Sequence, residues 1–166
     1  MSKTIIIMGS SNAMGDTYKV CKSIVDKYNV KFQDLNELVI MPYDYDHDNK
    51  DDDFLGFMGH VVDSYDTIIL ATPVYWYSMS GIMKNFLDRF SDLLTIKKEM
   101  GRKLRGKSLI AISVSNSDDC PKEYPMPFER SAEYLGMNWK GYAHFPVNET
   151  EICASRLDTI GEYLSN

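Results

Sequence analysis

The sequence predicts an α/β three-layer sandwich: a five-stranded parallel sheet of order 2-1-3-4-5 with helices on both faces. Segments of strand and helix period alternate from one end of the chain to the other. Residues 3–8, 67–71 and 107–114 hold the most continuous apolar runs and are rich in β-branched side chains, as strands covered on both faces are. These are expected at the centre of the sheet. Right-handed crossovers and short connections then leave 2-1-3-4-5 as the simplest order.

The first strand, residues 3–8, is followed by a helix over 17–28 with Val20, Cys21, Ile24, Val25 and Tyr28 on one stripe. A weaker strand is expected at 30–35. A helix over 54–64 starts behind Asp51, Asp52 and Asp53, whose charges suit a helix N-terminus. The third strand, 67–71, leads to a strongly amphipathic helix over 80–94, with Ile82, Met83, Phe86, Leu87, Phe90, Leu93 and Leu94 on one face. The fourth strand is 107–114. Pro127 stands in the first turn of a helix over 128–135. A fifth strand at 139–145 precedes a last helix at 148–164, where Asn148 and Glu151 match a capping box.

The chain has 166 residues, enough for one domain that buries about 70% of its unfolded surface. No repeat or linker divides it, so residues 1–166 are expected to form one domain. Hydrophobic residues make up 44% and charged residues 25%, ordinary for a soluble globular protein. The formal net charge of −6 lacks the basic footprint of non-specific nucleic-acid binding. No apolar run approaches the roughly 20 residues that span a bilayer, and the first residues enter a strand without a signal-peptide pattern. A cytoplasmic location is expected. Cys21, Cys120 and Cys153 show no C-x-x-C or metal-ligand spacing. Cys21 and Cys153 fall on helix faces as small apolar residues, and Cys120 falls in a polar loop.

In such a sheet, ligands bind beyond the carboxyl ends of the strands where the order reverses, here between the first and third. The loop after the first strand is residues 9–17, Gly-Ser-Ser-Asn-Ala-Met-Gly-Asp-Thr. Gly9 allows a sharp exit and Gly15 a close backbone approach. Ser10, Ser11, Asn12 and Thr17 supply hydroxyl and amide groups. Met14 completes the loop, and the helix opening near Asp16 offers free N–H groups and the positive end of its dipole. Together these can hold a phosphate without an arginine. The loop matches neither the nucleoside-triphosphate nor the dinucleotide fingerprint. An ordinary βα turn is the competing reading.

After the third strand come Pro73, Val74, Tyr75, Trp76 and Tyr77. Pro73 fixes its own φ and biases Thr72 toward extended geometry. Three adjacent aromatics cannot all face one core, and planar π systems stack on aromatic faces. The competing reading is a partner-chain interface. The two loops together point to a phosphorylated planar cofactor, for which FMN is the best candidate. Ser115 and Asn116, leaving the fourth strand at the same end, are placed to meet the polar edge of a flavin ring and to stabilise negative charge there.

The chain resembles the NAD(P)H-dependent FMN reductase group of flavodoxin-like proteins. That group's phosphate loop, Gly-Ser-x-Arg-x-x-Gly-Asn-Thr, is matched by Gly9, Ser10, Gly15 and Thr17. Its second signature is matched by Pro73, Tyr75, Trp76, Ser80, Lys84, Phe86, Asp88 and Arg89, and Leu104-Arg-Gly-Lys-Ser resembles its entry to the fourth strand. Asn12 stands where the group often has arginine, and Asp16 where it usually has asparagine. A carboxylate about 5 Å from a phosphate costs roughly 3 kcal/mol at an effective dielectric near 20. The cost falls if Asp16 turns inward as a helix N-cap.

The resemblance implies a flavodoxin-like fold, FMN as cofactor, NAD(P)H as electron donor, a small-molecule electron acceptor and a homodimer or higher homo-oligomer. It implies no catalytic triad or metal, because the flavin carries the chemistry. Two alternatives stay open: a flavodoxin-like electron carrier, and a flavin-free binding or sensing protein. Lys84, Asp88 and Arg89 are read as mainly structural, with Lys84 and Asp88 spaced to pair on the helix surface. The acidic run 44–53 begins like a calcium loop but lacks its glycine and final glutamate, and is read as a solvated loop. The basic stretch 97–107 is read as a solvated turn, with attraction of an NADPH phosphate as the alternative. His47, His60 and His144 share no spacing and receive no catalytic role.

Overall fold

A computed structural model describes residues 3–147 and 154–165. The strands are β1 (Thr4–Met8), β2 (Lys31–Asp34), β3 (Thr67–Pro73), β4 (Ser108–Ser115) and β5 (Asn138–Pro146). They pair in parallel in the order β2-β1-β3-β4-β5. β1, β3 and β4 are the central strands, as their apolar runs require. Ile6, Ile7, Met8, Ile69, Leu70, Ala71, Ile110, Ala111 and Ile112 have no exposed surface.

Alternation along the strands divides this core between the two faces of the sheet. On one face, Ile6, Met8, Ile69, Ile110 and Ile112 pack with Val20, Cys21 and Ile24 of α1 (Asp16–Tyr28) and Ile160 of α7 (Ala154–Ser165). Burial pushes the Cys21 thiol well above its usual range, as for an inert core residue. On the other face, Ile5, Ile7, Ile68, Leu70 and Leu109 pack under α2 (Asp53–Ser64), α3 (Gly81–Asp88) and α6 (Met126–Leu135). Phe86 lies between Phe54 and Phe90 in edge-to-face contacts, with ring centroids 5.6 and 5.3 Å away.

Several expectations are corrected. The helix expected over 80–94 is broken into α3, a 3-10 turn at Arg89–Ser91 and α4 (Asp92–Thr95). The break accompanies Arg89, only 1% exposed, which turns its guanidinium into the 41–53 loop. Its Nη1 donates to the Met41 carbonyl at 2.9 Å and to Asp52, while Nε donates to Asp92 at 2.7 Å. The acidic run is therefore latched to the body of the protein as well as solvated. A short helix, α5 (Lys98–Arg102), occupies part of the basic stretch, and a 3-10 turn follows β2 at Leu35–Glu37. Cys120 is half-buried against the Tyr142 hydroxyl. The expected capping residues Asn148 and Glu151, the start of the last helix and Cys153 lie outside the described residues. Among the described residues, no helix is long and apolar enough to cross a membrane.

Candidate functional site

The loops leaving β1, β3 and β4 meet at the carboxyl edge of the sheet. Ser10, Asn12, Gly15, Asp16, Thr17, Pro73, Val74, Tyr75, Ser115 and Asn116 line one cleft of about 210 Å³, together with Val114 and Val147.

The first wall is shaped by close backbone packing. A Cβ on Gly9 would stand 2.9 Å from the Met83 nitrogen, so only glycine lets β1 end against α3. Within the loop, Asn12 Oδ1 accepts from Met14 N at 3.2 Å, and the Asn12 carbonyl accepts from Gly15 N at 3.2 Å. A Cβ on Gly15 would meet the Asn12 amide at 2.9 Å. α1 begins at Asp16 behind Gly15, with no side-chain cap. Its leading N–H groups are therefore open to an acceptor in the cleft. Thr17 and Ser10 are 4% and 3% exposed beside them. The Thr17 hydroxyl makes no hydrogen bond among the described residues.

Asp16 is thus the first helical residue rather than the N-cap. Its charge is offset another way: the carboxylate accepts from Lys19 Nζ at 2.7 Å, so a local ion pair replaces a lone anion at the helix start.

The second wall follows β3. Val74 N donates to the Val114 carbonyl at 2.8 Å, and Tyr75 and Ser78 exchange backbone hydrogen bonds at 2.9 and 3.1 Å. This closes a two-residue hairpin whose central residues, Trp76 and Tyr77, have φ of 49° and 63°. Both are left-handed, as a type I′ turn demands. The turn directs the aromatics differently. Tyr75 lines the cleft, and its hydroxyl shares a hydrogen bond of 2.9 Å with Ser11 Oγ across the opening. Trp76 is 94% exposed and Tyr77 72% exposed. Trp76, Met14 and Ser11 lie outside the lining of the cleft.

Ser80 ties the two walls together, a role its place before an amphipathic run did not reveal. It caps α3, accepting from Met83 N at 3.0 Å, and its hydroxyl donates to the Gly9 carbonyl at 2.6 Å. Its own N–H donates to Thr72 Oγ1 at 3.0 Å. The third wall is a turn after β4. Ser115 Oγ donates to the Ser117 carbonyl at 2.8 Å, and the Ser115 carbonyl accepts from Val147 N at 2.8 Å. Val147 reaches the cleft only through this pairing with β4, so nothing in its sequence neighbourhood marks it.

The arrangement offers N–H and hydroxyl donors on one side, an aromatic wall on the second and a polar turn on the third. Those features suit an anionic group joined to a flat ring system.

A family model described as NADPH-dependent FMN reductase matches residues 2–121. A protein of Bacillus subtilis (strain 168), provisionally named NAD(P)H-dependent FMN-containing oxidoreductase YwqN, is 28% identical over 155 residues, which is 84% of this chain and 82% of that protein. Among solved structures, the Trp repressor binding protein from Bacillus subtilis superposes with a TM-score of 0.71 at 22% identity, over 99% of this chain and 98% of that one. General stress protein 14 of Treponema denticola, solved in complex with FMN, superposes with a TM-score of 0.63 at 19% identity, over 98% and 96% of the two chains. The structural likenesses carry the flavodoxin-like fold.

Proposed function

Because the chain belongs to the NADPH-dependent FMN reductase family, matched over residues 2–121, we propose that the cleft binds FMN and that the protein is an oxidoreductase using NAD(P)H to reduce a small acceptor such as a flavin or a quinone. The observation that carries this reading is the open N-terminus of α1 beside the buried Ser10 and Thr17, facing Tyr75 across one cleft.

The residues present fit the cofactor. Neutral N–H and hydroxyl donors at a helix N-terminus match a phosphate. Gly15 keeps the backbone close to it, since a Cβ there would meet the Asn12 side chain. Lys19 pairs with the Asp16 carboxylate at that end. When bound, FMN would supply the hydride- and electron-transfer chemistry that links the nicotinamide to the second substrate.

The chain's own residues supply position and electrostatics. The backbone N–H groups of Asp16 and Thr17 and the hydroxyls of Thr17 and Ser10 would hold the phosphate. Val74 and Tyr75 wall one side of the ring. Ser115 and Asn116 present polar groups to its edge, where donors stabilise developing negative charge. Trp76 and Tyr77, projecting beside the opening, offer aromatic surface to an incoming substrate or to a second copy of the chain. A homodimer is part of this reading, and sedimentation velocity that finds only monomer would remove it.

The visible spectrum of the purified protein, with identification of pigment released by heating, tests the cofactor. NAD(P)H oxidation with added FMN and a quinone tests the activity. FMN uptake without turnover would indicate an electron carrier, and no uptake a flavin-free protein. Thr17→Ala is expected to weaken FMN about tenfold or more, equivalent to about 1.4 kcal/mol, and riboflavin little, because riboflavin lacks the phosphate. Equal losses in fluorescence titrations would remove Thr17 from the phosphate site.

A further inference from the structure

The turn that carries Ser115 and Asn116 is backed by a polar chain that runs through the sheet, and its hydrogen-bond directions can be assigned. His144, on β5 opposite Ser113 of β4, is 9% exposed. Its Nε2 stands 2.7 Å from the Ser117 carbonyl. A carbonyl can only accept, so Nε2 carries the proton. In a neutral imidazole Nδ1 is then an acceptor, and the Ser113 hydroxyl, 2.7 Å away, donates to it. Ser113 in turn accepts from the Tyr142 hydroxyl, which accepts from the Cys120 thiol at 3.2 Å. Ser115 Oγ, already donating to the Ser117 carbonyl, accepts from the same Nε2–H at 3.2 Å. Every donor from Cys120 to Ser117 meets an acceptor in one direction only.

We infer that His144 is a positioning residue: held as the Nε2–H tautomer, it sets the Ser115–Ser117 turn and thereby the wall of the cleft that faces the flavin ring. The inference rests on the reading of the cleft as a flavin site for its functional consequence, although the buttress itself does not. The ion pair beside this turn acts elsewhere. Arg156 of α7 donates to the His144 backbone carbonyl and to Asp118 Oδ1, at 2.6 Å for the latter. It steadies β5 and the far end of the turn, leaving the imidazole to hold the near end. The role is distinct from that of the phosphate loop, because none of the hydrogen bonds running from Cys120 to Ser117 involves residues 9–17.

That separation defines the test. Wild type, His144→Leu and His144→Gln are compared by thermal unfolding, by titration with FMN and with riboflavin, and by amide exchange of the flavin-free chain. Glutamine keeps a donor able to reach the Ser117 carbonyl, whereas leucine keeps only bulk. In the leucine variant, protection of the Val147 and Asp119 amides, which donate to the Ser115 carbonyl and to Ser117 Oγ, is expected to fall at least tenfold, with glutamine restoring most of it. FMN and riboflavin are expected to lose affinity by the same factor, about tenfold, unlike the phosphate-selective loss in Thr17→Ala. Nitrogen-15 NMR of the wild-type imidazole is expected to show the Nε2–H tautomer. Unchanged amide protection, or an Nδ1–H tautomer, would overturn the inference whatever the flavins do. Altered protection in a chain that takes up neither flavin would uphold the buttress and sink the flavin reading instead.

Discussion

Two neighbouring side chains, Trp76 and Tyr77, occupy backbone geometry that normally favours Asn-Gly. Their φ angles of 49° and 63° form a type I′ turn at a place where each bulky residue costs of order 1 kcal/mol. Strain of this kind persists where the surroundings over-determine it and is found at ligand sites. The pair replaced together, Trp76→Asn with Tyr77→Gly, is expected to raise stability by about 1–2 kcal/mol in chemical denaturation. No gain would mean that the exposed rings find compensating contacts. The same residues mark a limit of sequence reading. The sequence reads the aromatic run after the strand as a wall for a planar group, but which ring faces the cleft depends on the sign of φ in the turn. Tyr75 lines it, while Trp76 points away from the protein.

At the level of elements, the strands were legible because burial on both faces leaves a continuous apolar run. The order followed because β1, β3 and β4 have that run and β2 and β5 do not. The break at Arg89 was not legible, because the apolar spacing continues across it and the ion pair that accompanies it is with Asp52, distant in sequence. The linkage through Ser80 was likewise hidden, since its partners are distant in sequence: the Gly9 carbonyl just after β1 and the Thr72 hydroxyl on β3. Ser80→Ala removes a helix cap and strands the buried Gly9 carbonyl. It is expected to cost about 2–3 kcal/mol, more than an ordinary cap, as measured by urea unfolding. A loss under about 1 kcal/mol would show that water replaces the hydroxyl at Gly9.

For the whole molecule, the Arg89 latch joins the 41–53 loop to the sheet-packing helices and makes stability depend on pH. Burial opposes the charge of Asp52, but Arg89 and the N–H groups of Met41 and Phe54 outweigh it and hold the carboxyl below its usual range. A depressed folded value gives stability that is fully present above the unfolded carboxylate pKa, about 3.9, and is lost as pH falls through the folded value. Stability is therefore expected to drop from about pH 5 downward, and Asp52→Asn to flatten that slope while lowering stability at neutral pH. An unchanged slope would place the acid sensitivity elsewhere. The Gly9–Ser80–Thr72 connection has a further consequence, for rates. Both banks of the cleft are already fastened to each other, so a ligand meets a rigid receptor and little chain has to be frozen when it arrives. Rapid-mixing traces with FMN should then rise in one phase whose rate grows linearly with concentration, with no plateau from a slow rearrangement.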